Sequence, residues 1–162
     1  KAVEIVLENE APIESGRFAI QVYDLYRNSS SFLDYKPPLN DRKFILQYFS
    51  PDPSRQTTDE FGTFFWDSAN QIKTWSDYRP SETKHRTYRE IHPREYLNCL
   101  RHLLEIGNSL EKEEALKCLK EQFGFTSLTK KLREHLEKVI KYGVDKGELV
   151  IINDRIRLSA EG

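Results

Sequence analysis

The residues best equipped for chemistry are cations and hydroxyls gathered around one helical segment near the C-terminal end. Ser127 and Thr129 precede Lys130 and Lys131, Lys138 follows two turns later, and Arg155 stands in a strand pair beyond. Lysines and hydroxyls hold phosphate oxygens, so the chemistry on offer is recognition of a polyanion. A second group comes earlier, where Arg79, Lys84, His85, Arg86 and Arg89 are interleaved with Tyr78 and Tyr88. That mixture suits a phosphate backbone with a base stacked beside it. Each group also has an ordinary reading. Lys130 to Glu134 and Glu134 to Lys138 have the i,i+4 spacing of solvated ion pairs, and with Glu137 two carboxylates would meet the like charge of a nucleic-acid groove. The arginine-tyrosine run reads first as an ordinary polar connector.

Catalytic signatures are missing. The chain has no GxxxxGK(S/T) loop to cradle phosphate, no GxSxG elbow to present a serine, and no HExxH helix to hold a metal. Cys99 and Cys118 read as two buried thiols on neighbouring helices, since no CxxC pair accompanies them, and that suits a reducing cytoplasm. His85, His92, His102 and His135 have no ligand-spaced partner. The proline-bounded Pro51-Asp52-Pro53 and the acidic Thr57-Thr58-Asp59-Glu60 read as solvated loop. The expectation is a non-enzymatic segment with no cofactor and no metal.

The elements that must position these residues follow from caps and periodicity. Pro93 suits a first helical turn, Tyr96, Leu97, Leu100, Leu103 and Leu104 share one face, and Gly107-Asn108 closes that helix. A second helix follows Ser109, burying Ala115, Cys118, Leu119 and Phe123 and stopping at Gly124. A third runs from about Leu128 to Tyr142 with Leu132, Leu136, Val139 and Ile140 inward and Gly143 as its stop. Glu148 to Ile152, Asn153-Asp154 and Arg155 to Leu158 spell strand, tight turn, strand. The first half traces the same plan less cleanly. Val3, Ile5, Val6 and Leu7 make one helix, Phe18, Ile20, Val22, Leu25 and Tyr26 a second, and Phe44 to Phe49 a third, before a strand from Phe61 to Trp66. Glu10-Ala11-Pro12-Ile13 occupies the place of Gly107-Asn108-Ser109-Leu110. One side of that aromatic strand is core, and the other, with Trp66, is expected to pack on the second module.

This predicts a mainly α (α+β) fold of tandem winged helix-turn-helix modules with short β-hairpin wings, repeating every 80 to 90 residues or so. The divisions are a degenerate winged-helix-like module over 1–75, a basic and aromatic linker over 76–90, and a winged helix-turn-helix module over 91–162. The 162 residues are 38% apolar and 12% aromatic, with no apolar run long enough to span a membrane. Net charge is −1, divided as 9 basic against 12 acidic residues in 1–80 and 16 against 14 in 81–162, so only the second half is a plausible polyanion-binding face. A chain that starts at Lys1 and holds no Met reads as an excised internal segment.

A family resemblance runs through Phe64-Phe65-Trp66, Tyr78-Arg79-Pro80, Glu90-Ile91-His92-Pro93-Arg94-Glu95 with Asn98, Ser109-Leu110, Phe123-Gly124-Phe125 and Gly147-Glu148-Leu149. On these residues the chain resembles a domain of unknown function at the C-terminal end of large bacterial superfamily-one helicase-like proteins, which often carry a restriction-type nuclease module. It departs from that pattern at His92, where a proline is common, and in the insertion from Asn28 to Asn40. The resemblance implies an accessory part of a DNA-processing machine whose partners are DNA and other domains of the same polypeptide. On this reading Ser127, Thr129, Lys130, Lys131, Lys138 and Arg155 contact DNA, with Arg86 and Arg89 extending the track. The alternative is a protein-protein docking module that positions the motor or nuclease domains.

Overall fold

The computed structural model describes residues 1–29, 42–80 and 86–160, so Lys84, His85 and Pro37-Pro38 lie outside the described residues. The described residues are mixed α+β, 55% of them helical, with two small antiparallel sheets. It divides into two compact units, one of residues 1–75 with 89–92 and one of residues 76–88 with 93–162. No helix among the described residues is long and apolar enough to cross a membrane.

The first unit runs α1 (Ala2–Glu10), β1 (Ile13–Glu14), α2 (Ser15–Ser29), α3 (Arg42–Phe49), β2 (Gln56–Asp59), β3 (Gly62–Phe65) and a single turn, α4 (Gln71–Thr74). Its core gathers Leu7, Ile13, Phe18, Val22, Ile45 and Phe65, with the Phe18 and Phe65 rings edge to face at 4.8 Å. Ile20 was expected inward but is 40% exposed, because Phe18 and Val22 lie four apart on the buried face and position 20 points away from both. Thr57-Thr58-Asp59 is a strand, not the expected loop. It is held by backbone pairing to β3, so a row of polar side chains tells little about it. Both sides of β3 are buried. Trp66 donates from Nε1 to Thr57 Oγ1 at 2.9 Å and meets the rings of Trp75 and His92, all within this unit.

The second unit contains α5 (Pro93–Gly107), β4 (Leu110–Glu111), α6 (Lys112–Gln122), α7 (Lys130–Asp145), β5 (Leu149–Ile152) and β6 (Arg155–Leu158). Asn108, at φ 60°, supplies the left-handed residue that ends α5. The stripe of α6 is Ala115, Leu116, Leu119 and Phe123; Leu116 takes the buried place expected of Cys118, which is only half-buried. Helix α7 passes through Gly143 instead of stopping there. Its end is Gly147, at φ 73°, where Glu148 donates its N–H back to the Gly143 carbonyl at 3.0 Å. Gly143 serves packing, since a Cβ there would stand 2.7 Å from Leu97 and 2.8 Å from Leu149. Asn153 and Asp154, at φ 51° and 62°, form the two-residue turn whose twist suits a hairpin.

Both units share one plan. The sheet order is β1-β3-β2 in the first and β4-β6-β5 in the second, so in each the short first strand pairs with the last. Ile13 faces Phe65 in one and Leu110 faces Ile156 in the other. The same spacing of 97 residues separates Glu10 from Gly107, Ile13 from Leu110 and Ser15 from Lys112. It shortens to 88 between Arg42 and Lys130, because the chain between the second and third helices is longer in the first unit. The expected period of 80 to 90 therefore fits only the starts of the third helices, since the hairpin strands stand 93 apart, from Gln56 to Leu149 and from Gly62 to Arg155.

Leu136 is fully buried on α7, and truncating it to Ala is expected to cost about 2–5 kcal/mol, read from the denaturation midpoint; an unchanged midpoint means the helix faces the other way. Gly143→Ala gains about 1 kcal/mol in helix propensity but overpacks Leu97 and Leu149 at about 1–3 kcal/mol, so the net result is a lower melting temperature. Gly107, with nothing within 4 Å of its added Cβ, is the control that should melt no lower on the same change.

Candidate functional site

The candidate site lies at the turn between α6 and α7. Gly124, at φ 69°, turns the chain out of α6, and the Phe125 N–H returns to the Lys120 carbonyl at 2.9 Å. Thr126, Ser127 and Leu128 cross to α7, where Thr129 Oγ1 accepts the Leu132 N–H at 3.2 Å and caps the helix. Lys130 and Lys131 follow in the first turn, exposed at the positive end of the helix dipole. Of the residues expected to bind DNA, the structure thus brings Ser127, Thr129, Lys130 and Lys131 together. Lys130 is 90% exposed and stands 3.9 Å from Glu134, a loose solvated pair of small energetic weight.

Beside this turn is an open cleft of about 320 Å³, lined by Arg86, Tyr88, Phe123, Phe125, Ser127 and Thr129 among others. Phe123 is fixed from behind by Tyr96, ring to ring at 4.6 Å. Tyr88 is braced twice: the Tyr96 hydroxyl donates to its carbonyl at 3.2 Å, and His135 meets its ring at 5.0 Å. The cleft combines aromatic surface with hydroxyl and backbone donors at a helix start.

Arg86 was expected on an exposed phosphate track, and the structure places it elsewhere. Its side chain is only 6% exposed and binds the fully buried carboxylate of Glu95 through two bonds of 2.8 Å. Arg79 reaches the same carboxylate with its backbone N–H and its guanidinium, each at 2.9 Å, and accepts a bond from Arg86 on its carbonyl. The physical reason is Glu95 itself, a buried charge that needs paired donors. Burial pushes its carboxyl up, but hydrogen bonds from Arg86 and the charge of Arg79 together outweigh that and hold it below the usual carboxylate range. Residues 76–88 are thereby part of the second unit and not a free linker, with Asn98 Nδ2 adding a bond to the Asp77 carbonyl at 2.7 Å.

The remaining expected contacts are dispersed. Arg155 is engaged by Ser109 at 3.1 Å and Glu111 at 3.3 Å, Lys138 is exposed further along α7, and Arg89 is exposed in the first unit. Most other cations of the second unit have carboxylate partners, including Arg133 with Glu113, Lys112 with Glu137, and Arg94 and Arg101 with Glu148. Sequence reasoning named Tyr88 as a stacking residue but passed over Phe125, and Arg157, exposed on the same strand face as Arg155. Strand alternation signals Arg157, but nothing local signals the cleft. Burial pushes the Cys99 thiol up to about 12, so it is no nucleophile near neutrality. Among the described residues no group of His, Cys, Asp and Glu is placed to hold a metal ion.

Comparison with protein-family models, with curated proteins and with solved structures finds no match for this chain.

Glu95→Gln leaves the buried Arg86 charge without its counter-ion and is expected to cost about 3–5 kcal/mol in urea unfolding. Since the folded-state carboxyl lies below its ordinary value, the contribution of Glu95 is complete above the usual carboxylate range. It is lost as pH falls through the depressed folded value. The parent should therefore lose its stability advantage over Glu95→Gln only in strong acid; an advantage already gone near pH 5 contradicts the pairing.

Proposed function

We propose that the chain is a non-enzymatic, DNA-engaging accessory segment made of two winged helix-turn-helix modules, of the kind that helicase-like DNA-processing proteins carry. One observation supports it most. In the second unit, the first turn of the third helix presents Lys130 and Lys131 behind the hydroxyls of Ser127 and Thr129, on a plan of helix, strand, two helices and hairpin. In such a plan the third helix and hairpin are the parts that approach DNA. The family resemblance points the same way. Phosphate contact is the expected mode, because no Arg or Asn occupies the leading outward positions of α7 where paired hydrogen bonds would read a base edge.

Docking onto motor or nuclease domains of the same polypeptide is the second reading. It is supported by Ile106, Ile151 and Ile152, which are 74%, 44% and 52% exposed, and by the number of cations already paired with carboxylates.

The deciding experiment titrates duplex, forked and single-stranded DNA at several salt concentrations with the parent and with Lys130→Glu/Lys131→Glu. Loss of two phosphate contacts should weaken binding to all duplex sequences alike and flatten the slope of log K against log salt by roughly 1.8. Coincident curves for the two proteins, or no binding by the parent at low salt, would shift the assignment to docking.

A further inference from the structure

Resting on the DNA-engaging reading above, we propose that the cleft between Tyr88 and Phe125 takes one unpaired nucleotide, so that the segment prefers DNA with a single-stranded tail over a blunt duplex. At about 320 Å³ the cleft lies at the lower end of the range for small-ligand sites, roughly 300–1,000 Å³, a size that suits one nucleotide. Its composition divides in the way a nucleotide does. Tyr88 and Phe125 supply flat apolar surface for a base, with buried Phe123 as the floor behind them, while Ser127 and Thr129 supply hydroxyls for a phosphate. Lys130 and Lys131 follow directly on the helix that Thr129 caps. Arg79 and Arg86 share the carboxylate of Glu95, which holds one cleft wall in place. An apolar peptide side chain would leave those donors and cations unused, and a bare phosphate would leave the aromatic walls in water. A nucleotide uses both.

The walls are also held before any ligand arrives. Tyr88 is braced by Tyr96 and His135, and the backbone at Phe125 is held by its bond to the Lys120 carbonyl. A site formed in advance spends less of its binding energy on ordering side chains. Groove insertion of α7 needs none of these residues, so the two modes separate experimentally.

The test uses the full chain with three probes: a blunt duplex, the same duplex with a single-stranded tail, and the tail strand alone, with 2-aminopurine in the tail. The parent should bind the tailed duplex more tightly than the blunt one and quench the 2-aminopurine. Phe125→Leu and Tyr88→Leu keep apolar volume but remove the ring, and each should weaken tail binding about 5- to 150-fold while leaving the blunt duplex unchanged. Ser127→Glu, at an exposed position, places a carboxylate where the phosphate sits and should abolish the tail preference even if a leucine variant melts early. Equal affinity for tailed and blunt duplex, or an unquenched probe with bound tail, overturns the cleft assignment; the DNA-engaging reading then stands if Lys130→Glu/Lys131→Glu still weakens the blunt duplex. No binding to any of the three probes overturns both.

Discussion

The second unit depends on a carboxylate that has no water. Glu95 sits on α5 with its side chain fully buried, and an isolated charge in that position would cost several kcal/mol. Two guanidiniums from residues well upstream resolve the problem, and in doing so they fix where the upstream chain must lie. Arg79 and Arg86 tie residues 76–80 and 86–88 to α5, and that placement brings Tyr88 to the turn between α6 and α7. A cleft with walls from residues 86–88 and 123–132 exists only because that knot closes. Electrostatics, in a chain whose overall charge is nearly neutral, has thus helped to set the geometry of the cleft.

Sequence made the second unit legible to the extent that local signals agreed. The proline at the start of α5, the left-handed turn residues and the Asn-Asp hairpin each act within a few residues, and all pointed to one order of elements. Gly143 was misread because a glycine near a helix end has two uses, and only the packing of Leu97 and Leu149 shows which applies. The knot was hidden for a different reason: its partners are 9 and 16 residues from Glu95, beyond any helical spacing. One clue was available. Glu95 stands four residues before the fully buried Cys99, so the helical period already placed a charge on the core face.

The two units show how one plan can be kept while its surfaces diverge. Strand pairing and the early helix spacing are shared, since each unit must bury one face of three helices against a small sheet. The third helices differ outside that constraint. Among the α3 residues whose exposure is described, Lys43, Gln47 and Tyr48 are exposed, the last at 63%, whereas α7 carries Lys130 and Lys131 behind hydroxyls. The hairpins differ too: β2 presents Gln56, Thr58 and Asp59, and β6 presents Arg157. Shared packing with divergent exposed faces fits two modules with separate roles better than a symmetric pair on one ligand.

Net charge is a weak guide to what such a surface meets. At physiological salt the Debye length is about 8 Å, so a ligand responds to the groups nearest its own charges and not to the total of −1. Along the middle of α7, Glu134 is exposed and Glu137 is engaged with Lys112, so a groove laid over that length meets mixed charge. The first turn differs, with lysines, hydroxyls and the positive end of the helix dipole together. An anion is favoured at that end of the helix and opposed further along it. The favourable approach is therefore end-on, toward the turn and the cleft beside it, instead of lengthwise along the helix.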